Sequence, residues 1–435
     1  MVTTIFVFGA SGDLARRKTY PALFRLMRAG KLNASTRIVG FARTPLAQDE
    51  FRARASEFIR RTLQSETELA QLDAFLARCT YQHGDYDSAA AFEALRCTLD
   101  EFEGSVGEWG VPGVPGVPGV PGEQGQPDVP HVPDRPDVPD VPDVPDRLDV
   151  PDTAQLTPAR KPLRIFYLAL PPAVFVTVSQ RIHTHLHDET RAQHRLVIEK
   201  PFGRDAPSAA ALGAALAPLF AEHEIYRIDH YLGKEMVKNV LILRFANMFF
   251  NAVWHRGCIH SVQIVFKETI GVEGRGGYFD EHGIIRDVMQ NHLLQMLSIV
   301  AMDRPASLRA PEDVRSEKVK VLRAIPALTP GDIVLGQYGP SADGTRPGYC
   351  SDPSVAPASR TPTFAMATVH VRNERWDGVP FVLRCGKGLN EHKAEIRIQF
   401  HDVPGCLFGP PAPPTCACPH RPTCACPAPP CACPP

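Results

Sequence analysis

The sequence predicts an α/β fold in which a parallel sheet with helices on both faces precedes an α+β region built on a largely antiparallel sheet. Three observations predict it. Short apolar runs alternate with helical spacings over roughly the first 200 residues, outside one interruption, which is the pattern of strands joined by crossover helices. A glycine turn, Gly9-Ala10-Ser11-Gly12, separates the first apolar run from the first helical spacing. After Tyr226 the alternation gives way to longer helices and to strands with period two. At 435 residues and 44 % hydrophobic content, the chain has material for two ordinary domains with real cores.

In chain order, Thr4 to Phe8 reads as a short buried strand. Leu14 to Ala29 follows with Leu14, Tyr20, Leu23, Phe24 and Met27 at helical spacing, and Gly30 is placed to stop it. Arg37 to Ala42 is a second strand, and Phe51 to Ala77 is helical with a break near Ser65. Arg164 to Leu170, closed by Pro171-Pro172, and Arg195 to Ile198, ending at Glu199-Lys200-Pro201, are further buried strands. Beyond Tyr226, Gly233 to Asn247 and the strongly apolar Ile284 to Ala301 read as helices, with Ser261 to Phe266, Phe364 to Val371 and Ile396 to Phe400 as strands. The organisation expected is a first domain over 1–228 interrupted by an insert at 104–160, a second over 229–408, and a tail over 409–435.

The insert and the tail account for an excess of proline, 43 in all. Glycine recurs every third residue from Gly110 to Gly125, and the period then continues with Asp, from Asp128 and Asp134 on to Asp152. A collagen triple helix needs glycine at every third place, so this reads as an extended loop with too little apolar surface to order itself. The tail carries three C-x-C pairs, at Cys416, Cys424 and Cys431, whereas the other cysteines are scattered like reduced intracellular thiols. A structural protein, or one binding zinc or copper(I) through these tail thiolates, is the alternative they offer. The site itself is assigned no metal. A formal charge of −1 excludes the basic excess that nucleic-acid and membrane-surface proteins need. No run of eighteen apolar residues and no basic leader are present, so the expectation is a cytoplasmic protein.

Three sets of residues carry chemistry. The turn Gly9, Ala10, Ser11, Gly12, Asp13, Leu14 lies between strand and helix, where glycines admit a pyrophosphate to the helix N-terminus; a plain tight turn is the other reading. Arg43 ends the second strand, where enzymes that use NAD often place an acid for the ribose hydroxyl. A guanidinium there suits a 2′-phosphate, and so NADP. The run Arg227-Ile228-Asp229-His230-Tyr231-Leu232-Gly233-Lys234 sets His230, Tyr231 and Lys234 at a helix start. With Lys200 they could receive a phosphorylated substrate, or they could merely cap a helix. Asp287, Asn291 and His292 share one apolar helix. A carboxylate-held histidine is a good general base, but spacing does not say which carboxylate would hold His292.

At these residues the chain closely resembles the cytosolic glucose-6-phosphate dehydrogenase family. The matching stretches are GASGDLARRKTYPALF from Gly9, IVGFAR to Arg43, FYLALPP from Phe166, IEKPFGRD from Ile198, YRIDHYLGKEMV from Tyr226, EGRGGYFDEHGIIRDVMQNHLLQM from Glu273 and ERWDGVPFVLRCGKGLNEHKAE from Glu374. The resemblance implies a Rossmann-like coenzyme domain and NADP-dependent oxidation of glucose 6-phosphate at C1, the opening step of the pentose phosphate pathway. By the same resemblance, His292 is the base, Asp229 its orienting partner, and His230, Tyr231 and Lys234 the phosphate contacts, with Lys234 counted in the catalytic set. Lys200 lies between coenzyme and sugar. Glu268, Asp287, Lys387 and His392 match sugar-side positions, with His392 in place of the usual arginine. Gly9, Ala10, Ser11, Gly12, Asp13, Leu14, Lys18, Arg43 and Lys200 match coenzyme contacts, and Arg384, Lys393 and Arg397 match part of a second, structural NADP site. A homodimer or tetramer is expected of the family. The resemblance fades after Phe408, which implies a sheet short of strands and a chain that folds poorly or is inactive. The lumenal hexose-6-phosphate relative is disfavoured, because it implies an export signal and a fused hydrolase.

Overall fold

The computed structural model describes residues 2–104 and 161–402. The Gly/Asp repeats and the C-x-C tail lie outside these residues.

The first sheet is built from β1 (Thr3–Phe8), β2 (Thr36–Ala42), β3 (Cys79–His83), β4 (Leu163–Leu168), β5 (Gln193–Ile198) and β6 (Ile225–Arg227). All pairs are parallel, and the order is β3-β2-β1-β4-β5-β6. This is the doubly wound order whose ligand crevice opens beyond the carboxyl ends of the strands, where the winding reverses between β1 and β4. Every residue of β1 is buried because helices cover both faces. Phe6, Phe8, Phe41, Phe92 and Phe166 pack on one side, and Ile5, Val7, Tyr20, Phe24, Phe51 and Phe75 on the other. The alternation along each strand sorts the two cores.

The helices of this unit are α1 (Tyr20–Arg28), preceded by a π-helical segment Ala15–Thr19, then α2 (Gln48–Arg60), α3 (Glu66–Leu76), α4 (Ala89–Gly104), α5 (Phe175–His185) and α6 (Ala206–Leu216). The expected break near Ser65 is real, and Ser65 caps α3 by accepting the Glu68 N–H. Gly30 ends the first helix with φ of +66°. The reading overlooked β3 and α4. In β3, Thr80, Tyr81 and Gln82 are all half-buried, so the strand shows no clear period two.

The remaining elements are α7 (Glu235–Phe245), α8 (Met248–Val253), β7 (Ile259–Lys267), α9 (Gly276–Ile284), α10 (Leu294–Ala301), α11 (Pro311–Arg323), β8 (Ile333–Gly336), β9 (Phe364–His370), β10 (Pro380–Gly386) and β11 (Lys393–Phe400). The second sheet has the order β11-β7-β10-β9-β8, antiparallel except for β10 against β7. Ile264, Phe266, Phe381 and Leu383 on its inner face share one core with Val240, Val288, Leu293 and Leu297. Two helix expectations need correction. The helix expected from Gly233 begins at Glu235, because His230–Gly233 closes as a separate turn capped by Asp229. The apolar helix expected from Ile284 is π-helical over Ile285–Leu293 before it becomes α10.

Candidate active site

Parallel pairing places the functional loops side by side. Lys200 follows β5 and Asp229 follows β6, and the Ile228 N–H donates to the Ile198 carbonyl at 2.9 Å, so both residues leave the sheet at one edge. Glu268 follows β7 and Lys387 follows β10, which are also parallel neighbours; the Lys387 ammonium donates to the Glu268 carboxylate.

Asp229 is the carboxylate that spacing alone left open. Its Oδ1 accepts the Tyr231 N–H at 2.9 Å and lies 2.6 Å from His292 Nδ1. Burial alone would raise the Asp229 carboxyl. The hydrogen bond and charge of His292, with the Tyr231 N–H, outweigh it and hold the group below its ordinary range. His292 is 3 % exposed, with Tyr231 stacked on its ring at 4.1 Å and His230 edge-on at 4.7 Å. Lys234 Nζ sits 4.5 Å from the Tyr231 ring centroid. Burial, then the proximity of His292 and Lys200, pushes His230 down to about 4, so its ring is neutral near pH 7.

The π segment gives His292 its surroundings. Asp287 O accepts both Lys200 Nζ at 3.0 Å and Asn291 Nδ2 at 2.9 Å, and Asp287 Oδ1 meets the same ammonium at 3.2 Å. π-helical segments inside helices recur at functional sites. Lys200, Asp287, Asp229, His230, Tyr231, Lys234 and His292 therefore form one set. Lys387 and Glu268 pair with each other, and Lys387 lies 5.6 Å from the Phe279 ring. His392 is exposed, 6.3 Å from the Phe266 ring.

At the other end of the crevice, Gly9 has φ of +82°, and a Cβ there would lie 2.2 Å from the Ala169 carbonyl oxygen. A Cβ at Gly12 would lie 3.1 Å from the Gly9 oxygen. Position 9 is thus open only to glycine, position 12 is tight, and helical backbone begins at Asp13 and Leu14. That cradle fits a pyrophosphate. The Arg43 guanidinium stands 5.5 Å from the Tyr86 ring, and Ser11 Oγ lies 3.1 Å from Thr44 Oγ1. Lys18 is exposed, while Asp13 is engaged by Arg16 at 3.0 Å and Arg17 at 2.7 Å. Arg384 in β10 and Glu395 in β11 both face Val265 of β7, and Glu395 holds Lys393 at 2.8 Å and Arg397 at 3.0 Å. These three cations therefore share the sheet face away from the core.

The residue-by-residue reading passed over Thr44, Tyr86, Tyr167 and Glu199. The Tyr167 hydroxyl donates to Glu199 at the ends of β4 and β5. Tyr167 lies near the end of β4 and Glu199 just beyond β5, and that place at the carboxyl ends of parallel strands was the available signal.

A doubly wound sheet with a glycine cradle, facing a carboxylate-held histidine among cations, defines a dinucleotide-dependent dehydrogenase. Known sequences give the particular kind. Residues 6–109 and 149–239 match the NAD binding domain of glucose-6-phosphate dehydrogenase, and residues 241–417 match its C-terminal domain. The chain belongs to the glucose-6-phosphate dehydrogenase family. It is 46 % identical over 406 residues to glucose-6-phosphate 1-dehydrogenase of Emericella nidulans, covering 93 % of this chain and 68 % of the relative. The Saccharomyces cerevisiae enzyme is 44 % identical over 407 residues, covering 93 % and 70 %. A solved glucose-6-phosphate dehydrogenase in complex with glucose 6-phosphate superposes with a TM-score of 0.77 at 44 % identity, over 93 % of this chain and 73 % of that one. The Mycobacterium avium enzyme gives 0.71 at 32 %, over 95 % and 76 %.

Proposed function

We propose that this chain oxidises D-glucose 6-phosphate at C1 to 6-phospho-D-glucono-1,5-lactone with NADP, the first oxidative step of the pentose phosphate pathway. The observation that carries the reading is the 2.6 Å contact between His292 Nδ1 and Asp229 Oδ1. With Nδ1–H donated to the carboxylate, Nε2 is the nitrogen left to take the proton of the C1 hydroxyl. Asp229 orients the ring and stabilises the imidazolium as it forms. Lys234 and Lys200 bring fixed positive charge to the substrate phosphate, while Tyr231 and His230 add donors. Neutral His230 still offers a ring N–H to the phosphate. Glu268, Asp287 and Lys387 hold sugar hydroxyls, with His392 at the rim.

Gly9, Ala10, Ser11, Gly12, Asp13 and Leu14 would hold the coenzyme pyrophosphate, with Arg43 and Lys18 toward its 2′-phosphate and Lys200 toward the sugar. Bound NADP supplies the acceptor for the C1 hydride. Arg384, Lys393 and Arg397 would serve a second, structural NADP. The chain would work in the cytoplasm as a homodimer or tetramer. No described helix is long and apolar enough to cross a membrane.

The test is NADPH formation from glucose 6-phosphate by the full chain beside His292→Asn. Activity lost in the variant while glucose 6-phosphate binding persists is expected; equal activity would remove His292 from the reaction.

A further inference from the structure

The coenzyme domain carries a second buried cluster at the amino-terminal edge of its sheet, opposite the glycine turn. Four of the chain's 16 histidines fall within twelve residues: His183, His185, His187 and His194. Such density is a compositional sign of metal binding only where folding brings the rings together. It does so here, and adds Glu224 from the turn before β6. Nε2 of His187 lies 3.3 Å from Glu224 Oε1, and Nδ1 of His194 lies 3.8 Å from the same oxygen. The two rings are 4.2 Å apart, and the three candidate ligand atoms all lie within 4.8 Å of one another.

The His194 side chain is fully buried, and its Nδ1 has no hydrogen-bond partner although it faces the cluster. A buried imidazole nitrogen without a partner is costly whether it bears the ring proton or the lone pair. Burial, then the nearness of His187 and Arg164, pushes His194 down to about 3, so the ring is neutral and can act as a ligand. His183 Nδ1 is likewise buried and unpartnered, with its ring 5.1 Å from that of His187. The one carboxylate offsets part of a cation's charge. Arg164 bears a like charge, but Glu103 takes it up through two hydrogen bonds of 2.9 and 2.7 Å.

We propose that His187 Nε2, His194 Nδ1 and Glu224 form a binding site for one divalent cation of the zinc class. Two imidazoles and one carboxylate suit a borderline cation in tetrahedral geometry, whereas magnesium and calcium call for oxygen ligands. Tetrahedral donors about 2.0–2.1 Å from a zinc ion stand roughly 3.3 Å apart, so the observed spacings need only local closure. A cleft of about 350 Å³ lined by His183, His187 and Asp188 gives access and room for a water ligand. Binding exchanges two contacts. The 3.3 Å contact of His187 Nε2 with Glu224 gives way to the ion, with the His187 ring proton on Nδ1. The Asp188 N–H now donates to His194 Nε2 at 3.2 Å, and a metal at Nδ1 moves the ring proton to Nε2, turning that N–H to solvent. The ion would tie the start of β5 and the entrance of β6 to the segment after α5. This is separate from the dehydrogenase reading, since none of these residues belongs to that site.

The test titrates chelator-treated full chain with cobalt(II) and reads the spectrum. Tail thiolates, where they bind, give an intense near-ultraviolet sulfur-to-cobalt band, whereas a nitrogen–oxygen site gives only weak visible bands. One equivalent of the second kind, displaced by zinc, is expected, with at least tenfold weaker binding in His187→Gln and in Glu224→Gln. On the unmodified chain, cobalt should shift two imidazole N–H proton resonances, which decides the matter even where a variant fails to fold. Absence of a thiolate-free cobalt spectrum, absence of those two resonances, or undiminished affinity in either folded variant would overturn the site.

Discussion

Asp229→Asn separates charge from geometry at the histidine. The same Oδ1 receives the Tyr231 N–H at 2.9 Å and the His292 contact at 2.6 Å, and an amide oxygen can accept both hydrogen bonds. The variant therefore keeps the turn and ring orientation and loses only the negative charge. That charge matters when His292 becomes an imidazolium. Two unit charges about 4 Å apart attract by about 4 kcal/mol at an effective dielectric of about 20. The neutral amide retains a hydrogen bond, so the net loss is about 1–2 kcal/mol, the difference between a hydrogen bond to a charged group and one to a neutral group. This corresponds to a fall in kcat of about 5- to 30-fold. The assay is initial NADPH formation at saturating substrates, with circular dichroism to confirm folding. KM for glucose 6-phosphate should stay near its wild-type value, because Lys234 and Lys200 are untouched. A kcat within about threefold of wild type, or a loss confined to KM, would refute the role of Asp229.

If Arg43 holds the 2′-phosphate as proposed, Arg43→Ala should raise KM for NADP by about tenfold or more while leaving KM for NAD nearly unchanged; steady-state kinetics with both coenzymes reads this. Trp376→Phe should lower the unfolding free energy by about 1–3 kcal/mol, measured by urea titration. It removes the indole N–H that donates to the buried Ala301 carbonyl at 2.8 Å and leaves that carbonyl unpaired. In chelator, thermal stability should fall as pH drops from about 6.5 toward 4.5, before most carboxylates protonate. His194 and His230 titrate near 6.5 when unfolded but are held down to about 3 and about 4 when folded, so the unfolded chain binds more protons across that window. A His194→Phe variant should show a shallower decline in a calorimetric pH series.

Some of this was legible in local pattern. The buried run from Thr4 to Phe8, the glycine turn and the break at Ser65 were readable because the cause of each lies within a few residues. β3 was not, because its residues are half-buried and lack a clear alternation. The π segment was not, because an apolar helix and a π-helical one share a composition. Nor was the cap of α10 legible. There Arg244, Trp254 and Trp376 donate to the successive carbonyls of Ile299, Val300 and Ala301 across sequence separations of 55, 46 and 75 residues.

By itself the sequence determined the alternating architecture, the coenzyme turn and the residue types a phosphorylated sugar requires, since these follow from periodicity and from motifs short enough to read directly. Only the tertiary structure decided that Asp229 holds His292, that Lys200 shares Asp287, and that His187 and His194 converge on Glu224. The partners in the first two pairs stand 63 and 87 residues apart; parallel pairing of β5 with β6 brings Lys200 and Asp229 to one edge, and the helical segment Ile285–Leu293 carries Asp287 and His292 to it. Chain spacing carries no record of that edge, because crossover connections can be of any length.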